Sequence, residues 1–338
     1  MGLSIHSNHL FLSVVLAVLV DQLIGDPSRW LHPVQMMGWV IQRYVEWVLP
    51  LNSHPHHKRW AGVVLACLLV GGCGVVTWGF VHVAAMLNPW LGAAITTMLV
   101  ASCLAGRSLQ EAANDVLTPL QDGNLSLARH RLSHYVGRDT THLSREEILR
   151  AILETITENA VDGVTAPLFY AFWGAGLSSV CMVDASLAAP WAMAYKALST
   201  LDSMVGYRQE PYRDIGWFSA RLEDFATWLP CRLHVLTLAV LSGQPLTMIR
   251  ICQRDAPHDP SPNSGWSECI YASRLGVQLG GDNYYHGRLK SKPLLGNAIH
   301  PITPQIIEAA FMLTRDCIVS WVTIALLVSI VYGFHTLN

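Results

Sequence analysis

Long apolar runs alternate with polar stretches along this chain, and the lengths of the runs set the first expectation. A bilayer-crossing helix needs about 20 consecutive apolar residues. Ala61–Leu87 exceeds that length, and Trp90–Ala105 returns after an Asn88-Pro89 turn. Val164–Val183 is again long enough, and a last run covers 317–335. Leu10–Val20, extended by mildly polar neighbours to 8–24, is a shorter candidate. Ser186–Leu201 is a weaker limb, short and containing Pro190. Leu229–Gly243 carries Arg232 and His234 and reads as interfacial or re-entrant rather than crossing. The pattern predicts an all-α polytopic integral membrane protein of about five or six transmembrane helices. It forms one membrane-embedded domain over 1–338, with polar segments at 25–60, 106–160 and 202–316.

Composition and charge agree with that pattern. Of 338 residues, 51% are hydrophobic and only 14% charged, against roughly 25% charged in soluble domains. Lys and Arg are absent before the first run, number four in 25–60 and six in 106–163, and are absent again from Val164 to Tyr195. They therefore fall on one side of the expected crossings, and the positive-inside rule places the polar segments in the cytoplasm at the inner membrane. A net charge of -2 without any basic run excludes nucleic acid as a natural partner. The eight cysteines include no Cys-x-x-Cys pair and read as small packing residues.

The stretch with the most chemistry runs from Glu154 to Tyr170, where an acidic helix leads into an apolar one. Ser144-Arg-Glu-Glu147 has capping-box spacing, and Ile148, Ile152 and Ile156 recur every four residues behind it. Glu154, Glu158 and Asp162 follow the same step and stack on one side, repelling one another and, if the helix ends at Gly163, its C-terminal dipole. No Lys or Arg lies between Arg150 and Lys196. A bound cation or a cationic partner from elsewhere in the chain would relieve the conflict. A solvated acidic face is the plain reading; the missing basic partners, Asn159 and the adjoining apolar run favour a metal or metal-nucleotide site.

Other polar clusters stand at the edges of the apolar runs. Asp21, Asp26 and His32 lie in a segment broken by Gly25, Pro27 and Pro33, suited either to a hydrogen-bonded turn or to acid-base work. Arg107 opens the 106–160 segment at the end of a span. Lys196, Asp202 and Ser203 form another acidic and hydroxylic group. Ser261-Pro-Asn263-Ser-Gly265 reads either as a helix cap or as a backbone cradle for phosphate or carboxylate. The chain contains no Gly-x-x-x-x-Gly-Lys-Ser/Thr loop, no Gly-x-Ser-x-Gly elbow and no His-Glu-x-x-His, which removes the main support for P-loop, hydrolase and metalloprotease readings.

Eight short motifs, in order, resemble the adenosylcobinamide-phosphate synthase (cobinamide synthase) family of cobalamin biosynthesis, of CbiB/CobD type. They are Gly25-Asp-Pro with His32-Pro-Val and Gly38, Gly106-Arg-Ser-Leu, Val136-Gly-Arg-Asp139, Glu158-Asn-x-x-Asp-Gly through Tyr170, Leu201-Asp-Ser-Met-Val-Gly-Tyr207, Arg254-Asp-Ala, Ser261-Pro-Asn-Ser-Gly265 and Leu275-Gly-Val-x-Leu-Gly-Gly281. Ser199, where the family is expected to have Asn, and the stretch around Asp184 depart from it. The resemblance implies ATP- and magnesium-dependent amide formation between adenosylcobyric acid, the corrinoid substrate, and aminopropanol or its phosphate. In that scheme Glu154, Glu158, Asp162 and Asp202 hold magnesium through ATP, and Glu158 and Asp162 also count among the catalytic groups. Arg107, Arg138 and Arg254 bind phosphates; Asn159, Lys196, Ser203 and Asn263 bind substrate; Asp26 or His32 takes the amine proton. Association into a homo-oligomer or with other late cobalamin enzymes would fit the same scheme. The competing class is a membrane transporter or signalling protein without ligase activity, which predicts charges inside the spans and two related halves; the sequence shows neither.

Overall fold

The computed structural model describes residues 2–25, 32–51, 54–181 and 186–335. In chain order the helices are α1 (Gly2–Ile24), α2 (Pro33–Leu51), α3 (Pro55–Leu87), α4 (Pro89–Ala101), α5 (Gly106–Gln121), α6 (Leu125–Leu132) and α7 (Arg145–Ala160). Then come α8 (Ala166–Cys181), α9 (Ala188–Val205), α10 (Trp217–Leu241), α11 (Pro245–Asp255) and α12 (Ser264–Leu275). Strands β1 (Gln278–Tyr285) and β2 (Arg288–Gly296) precede the last helix, α13 (Pro304–His335). The starts are written locally. Proline stands first in α2, α3, α4, α11 and α13, where its missing N–H costs nothing. Asn88 caps α4 by accepting from Trp90 N at 2.8 Å, and Asn124 caps α6 through Leu127 N at 3.0 Å. The expected capping box at Ser144 and Glu147 is complete.

Among the described residues, four helical runs are long and apolar enough to cross a membrane, Pro55–Leu87, Pro89–Gln121, Arg145–Cys181 and Pro304–Val331, with Phe11–Ile24 as a shorter one. The protein is a mostly helical, multi-pass membrane protein. Its spans show the inverse of soluble packing: Val75, Val76, Phe80 and Met86 on α3, and Val319, Ile324 and Leu327 on α13, are exposed. Such broad apolar surfaces are stable only against lipid.

The chain divides into two compact units, where the sequence suggested one domain. The first comprises Met1–Ala105, Ala166–Thr227 and Val322–Asn338. Its centre is α9, which packs on α2, α3, α4 and α8. The weak span expected at 186–201 falls in this helix. It is short and moderately polar because it faces protein: Ala188, Ala189, Ala192 and Ala197 are all fully buried, and such small side chains let neighbouring helices approach closely.

The second unit comprises Gly106–Thr165 and Trp228–Trp321, joining parts of two polar segments that are far apart in sequence. Within it, α12 packs on α7, α11 and both strands. The strands form an antiparallel hairpin running from Gln278↔Gly296 to Tyr285↔Arg288. Its two-residue turn places His286 at φ 51° and Gly287 at φ 74°, the positive angles that a tight hairpin turn of this twist demands. The ladder is irregular between Leu279 and Gly281. There Gly280 has φ 86°, and a Cβ on it would lie 1.9 Å from the Pro293 carbonyl oxygen; the Leu-Gly-Gly281 motif is a bulge that no larger residue fits.

One local expectation is corrected. The acidic helix does not end at Gly163: a π-helical turn, Val161–Thr165, follows α7 directly and leads to α8. The Thr165 hydroxyl donates to the Ala160 carbonyl five residues back, at 3.2 Å. A π turn widens the ladder by one residue and is frequent at functional sites. It shifts Asp162 off the strict four-residue step that Glu154 and Glu158 share.

Candidate active site

The second unit holds two linked groups of buried charge. The first is organised by Val136-Gly-Arg-Asp139. Asp139 secures the hairpin turn: its N–H donates to Tyr284 O at 2.8 Å, and its carboxylate accepts from His286 N at 3.1 Å and Gly287 N at 2.7 Å. Arg138 points inward, donating Nη2 to Glu154 Oε2 and Nη1 to Asn283 Oδ1 at 2.6 Å. The other oxygen of Glu154 accepts from Gly280 N at 3.0 Å. Arg150, one turn before Glu154, donates to the carbonyls of Gly280 and Asp282. Glu154 is 2% exposed and Arg138 8%. The cationic partner that the acidic run lacked locally is therefore Arg138, and the pair fastens the hairpin to α7.

The second group lies on α12, β2 and the segment between α11 and α12. Glu268 is fully buried. Its Oε1 receives Lys292 Nζ at 3.4 Å, while its Oε2 is buried without a hydrogen-bond partner. Burial pushes the Glu268 carboxyl up to about 8; Lys292 opposes this, and Glu158, Glu154 and Asp259 reinforce it. Burial alone would lower the Lys292 ammonium, but Glu268, Glu158, Glu154 and Asp259 outweigh that and raise it. Asp259 Oδ1 accepts from Ser261 N at 2.9 Å and from Ser264 Oγ at 3.4 Å, and its Oδ2 is buried and unpaired. Gly265 allows this close packing, since a Cβ there would lie 2.5 Å from Asp259 Cβ.

The Ser261–Gly265 loop is a cap rather than an open cradle over much of its length. The Asn263 and Ser264 N–H groups both donate to Ser261 Oγ, at 3.2 and 3.1 Å, and the Ser261 N–H is taken by Asp259. Asn263 is the N-cap residue of α12 and accepts the Cys231 thiol at its carbonyl. Arg254 grips its neighbour Asp255 with two hydrogen bonds, of 2.6 and 2.8 Å, and reaches Asn297 at 3.0 Å. That guanidinium holds the Asp255 carboxyl below its ordinary range. Arg107 lies exposed on α5, paired with Glu111 at 2.8 Å. Asn159 is half-buried and donates to Thr155 O at 2.9 Å.

Among the residues expected from sequence, the second unit thus brings Arg138 and Glu154 into contact and leaves Glu158 within electrostatic reach of Asp259, Glu268 and Lys292. Asp162 stands half-buried in the π turn. His32, Lys196, Asp202 and Ser203 belong to the first unit. His32 Nδ1 accepts the Val34 N–H at 3.3 Å, so in the neutral ring Nε2 carries the proton. Lys196, Asp202 and Ser203 lie on α9, Ser203 donating to Thr200 O at 2.9 Å. Asp26 and Asp184 lie outside the described residues. Among those described, no three His, Cys, Asp or Glu side chains form a group able to hold a metal ion. Glu154 is committed on both oxygens, to Arg138 and to the Gly280 N–H.

Sequence reasoning left Asp259, Glu268 and Lys292 out of the site. A charged residue in the apolar stretch Trp266–Ala272 was the available signal for Glu268; Lys292 carried none, because its partner becomes visible only through the hairpin register.

The family described as CobD/Cbib protein matches residues 14–314 of the chain. The cobalamin biosynthesis protein CobD of Synechocystis sp. is 52% identical over 289 residues, covering 85% of this chain and 82% of that protein. The cobalamin biosynthesis protein CbiB of Salmonella arizonae is 42% identical over 293 residues, covering 85% and 88%. CbiB of Salmonella typhimurium is 40% identical over 321 residues, covering 93% and 95%. No solved structure matches the chain significantly. With the match running from α1 through the buried charge groups into α13, the chain belongs to the CobD/CbiB family.

Proposed function

We propose that this protein is an amide-forming ligase of cobalamin biosynthesis, joining a carboxylate of adenosylcobyric acid to 1-amino-2-propanol or its O-phosphate at the expense of ATP. The product is adenosylcobinamide or its phosphate. The observation that carries the reading is the family match, whose relatives bear the name cobalamin biosynthesis protein over more than four-fifths of this chain. The second unit supplies compatible chemistry, with a buried carboxylate group beside one ammonium and exposed Arg107 and Arg254 at family motifs. In the proposed reaction the corrinoid carboxylate attacks the γ-phosphorus of ATP and ADP leaves. The deprotonated amine nitrogen then attacks the acyl carbon, and phosphate departs with the carboxylate oxygen. Magnesium enters with the nucleotide, and no protein ligand set is assigned to it. The positive-inside pattern favours a site facing the cytoplasm.

The test is ligation by the purified, detergent-solubilised protein given adenosylcobyric acid, magnesium, ATP and either amine, with mass spectrometry of the corrinoid. A mass gain of one amide-linked amine is expected. Stable, monodisperse protein that yields no product with either amine would overturn the ligase reading in favour of transport or signalling.

A further inference from the structure

Resting on that ligase reading, we propose that Glu158, Asp259 and Glu268 form the subsite for the ammonium group of the amine substrate, with Lys292 holding Glu268 in place. The charge balance points to a cation. Three acidic groups, those of Glu158, Asp259 and Glu268, interact with the single Lys292 ammonium, so one cation is too few to balance all three once they ionise, and Glu268 keeps its proton until a further cation arrives. Glu154, which leads the acidic run, is neutralised separately by Arg138. An independent feature marks the place of the ligand: Glu268 Oε2 is buried and has no partner among the described residues, and the same holds for Oδ2 of Asp259. A buried, unsatisfied carboxylate oxygen is costly to maintain, and a donor from outside the chain would satisfy it.

The form of the cation follows from the geometry. No three acidic or metal-ligating side chains among those described converge as a metal site requires. An ammonium needs acceptors rather than a coordination sphere, and these carboxylates already take one at 3.4 Å from Lys292. Glu158 and Asp259 are only half-buried, whereas Glu268 is fully buried. The substrate amine, protonated in solution, matches this subsite in charge. A carboxylate pair there would also lie next to the nitrogen that must lose its proton before attack.

The experiment compares Glu268→Gln and Asp259→Asn with the unaltered protein by steady-state ligation, with KM determined separately for the amine, adenosylcobyric acid and ATP. The second variant keeps the Oδ1 acceptor that the Ser261 loop uses, so it guards against a simple folding failure of the first. The amine KM should rise about 10-fold or more, as losing a hydrogen bond to a charged group does, with the other two KM values unchanged. Propanediol phosphate, which lacks the ammonium, should inhibit the unaltered protein and Asp259→Asn equally. An unchanged amine KM in a folded variant, an equal rise for all three substrates, or direct binding of magnesium alone that both variants abolish would overturn the proposal. Absence of product from the unaltered protein would instead overturn the ligase reading, so the two failures are told apart.

Discussion

Replacing Arg138 by Met should be among the most damaging single changes in the second unit. The pair it forms with Glu154 is buried on both sides, with side-chain exposures of 6% and 2%. Removing one partner of such a pair strands the other charge and costs roughly 3–5 kcal/mol. Glu154 would retain the Gly280 N–H at 3.0 Å and the Arg150 guanidinium at 4.0 Å, so the lower end, about 3 kcal/mol, is expected. Asn283 loses its 2.6 Å donor at the same time, weakening the attachment of β1 to α7. At about 2–4 °C per kcal/mol for a unit of this size, the melting temperature should fall by roughly 6–12 °C. The assay follows a thiol-reactive dye during heating, because Cys231, Cys252, Cys269 and Cys317 are buried in this unit and become reactive as it opens. The companion change Glu154→Leu and the double variant complete the cycle. The double variant should be less destabilised than the sum of the singles by more than about 1 kcal/mol. Singles that cost under about 1 kcal/mol, or strictly additive effects, would refute the role assigned to this pair.

Three further outcomes follow from the same geometry. Gly265→Ala should cost about 1–3 kcal/mol through overpacking in the same dye assay, because the new methyl would meet Asp259 Cβ at 2.5 Å and the Ala256 carbonyl at 2.9 Å. Asp139→Ala removes the acceptor of two turn N–H groups; limited proteolysis should cut faster near 285–288, with a loss of roughly 1–2 kcal/mol and the helical content unchanged by circular dichroism. The raised Glu268 carboxyl, about 8 folded against an ordinary 4.5, means that the folded state holds its proton more tightly. Its contribution is therefore complete below about pH 4.5 and fades as pH rises through about 8, by at most ~1.4 kcal/mol per pH unit; melting profiles of Glu268→Gln should show that slope flattened, and an unchanged slope would count against the assignment.

What the sequence disclosed and what it hid follow from how far each interaction reaches. Helix starts are local, so the capping box at Ser144 and Glu147 and the Asn88-Pro89 turn were legible from a few adjacent residues. The longest apolar runs were legible because lipid solvation acts on each helix separately. Helix α2 was missed within a segment read as polar, although Met37, Ile41, Val45 and Val48 form its buried stripe; Gln42, Arg43 and Glu46 interrupt the apolar run, and the exposed Trp39 and Trp47 blur its amphipathic period. The hairpin was missed because its glycines and charges resemble a loop until β1 and β2 are paired. The same pairing decides the site. Only the register that sets Gly281 opposite Lys292 carries the Lys292 ammonium to Glu268, and only the bulge at Gly280 turns a backbone N–H onto Glu154. The acidic run therefore announced a missing cation from its own spacing, whereas the cations that answer it, Arg138 and Lys292, required a fold to bring them there. The remaining unpaired oxygens on Glu268 and Asp259 extend that logic by one step, since no group among the described residues satisfies them and a ligand that brings its own donors can.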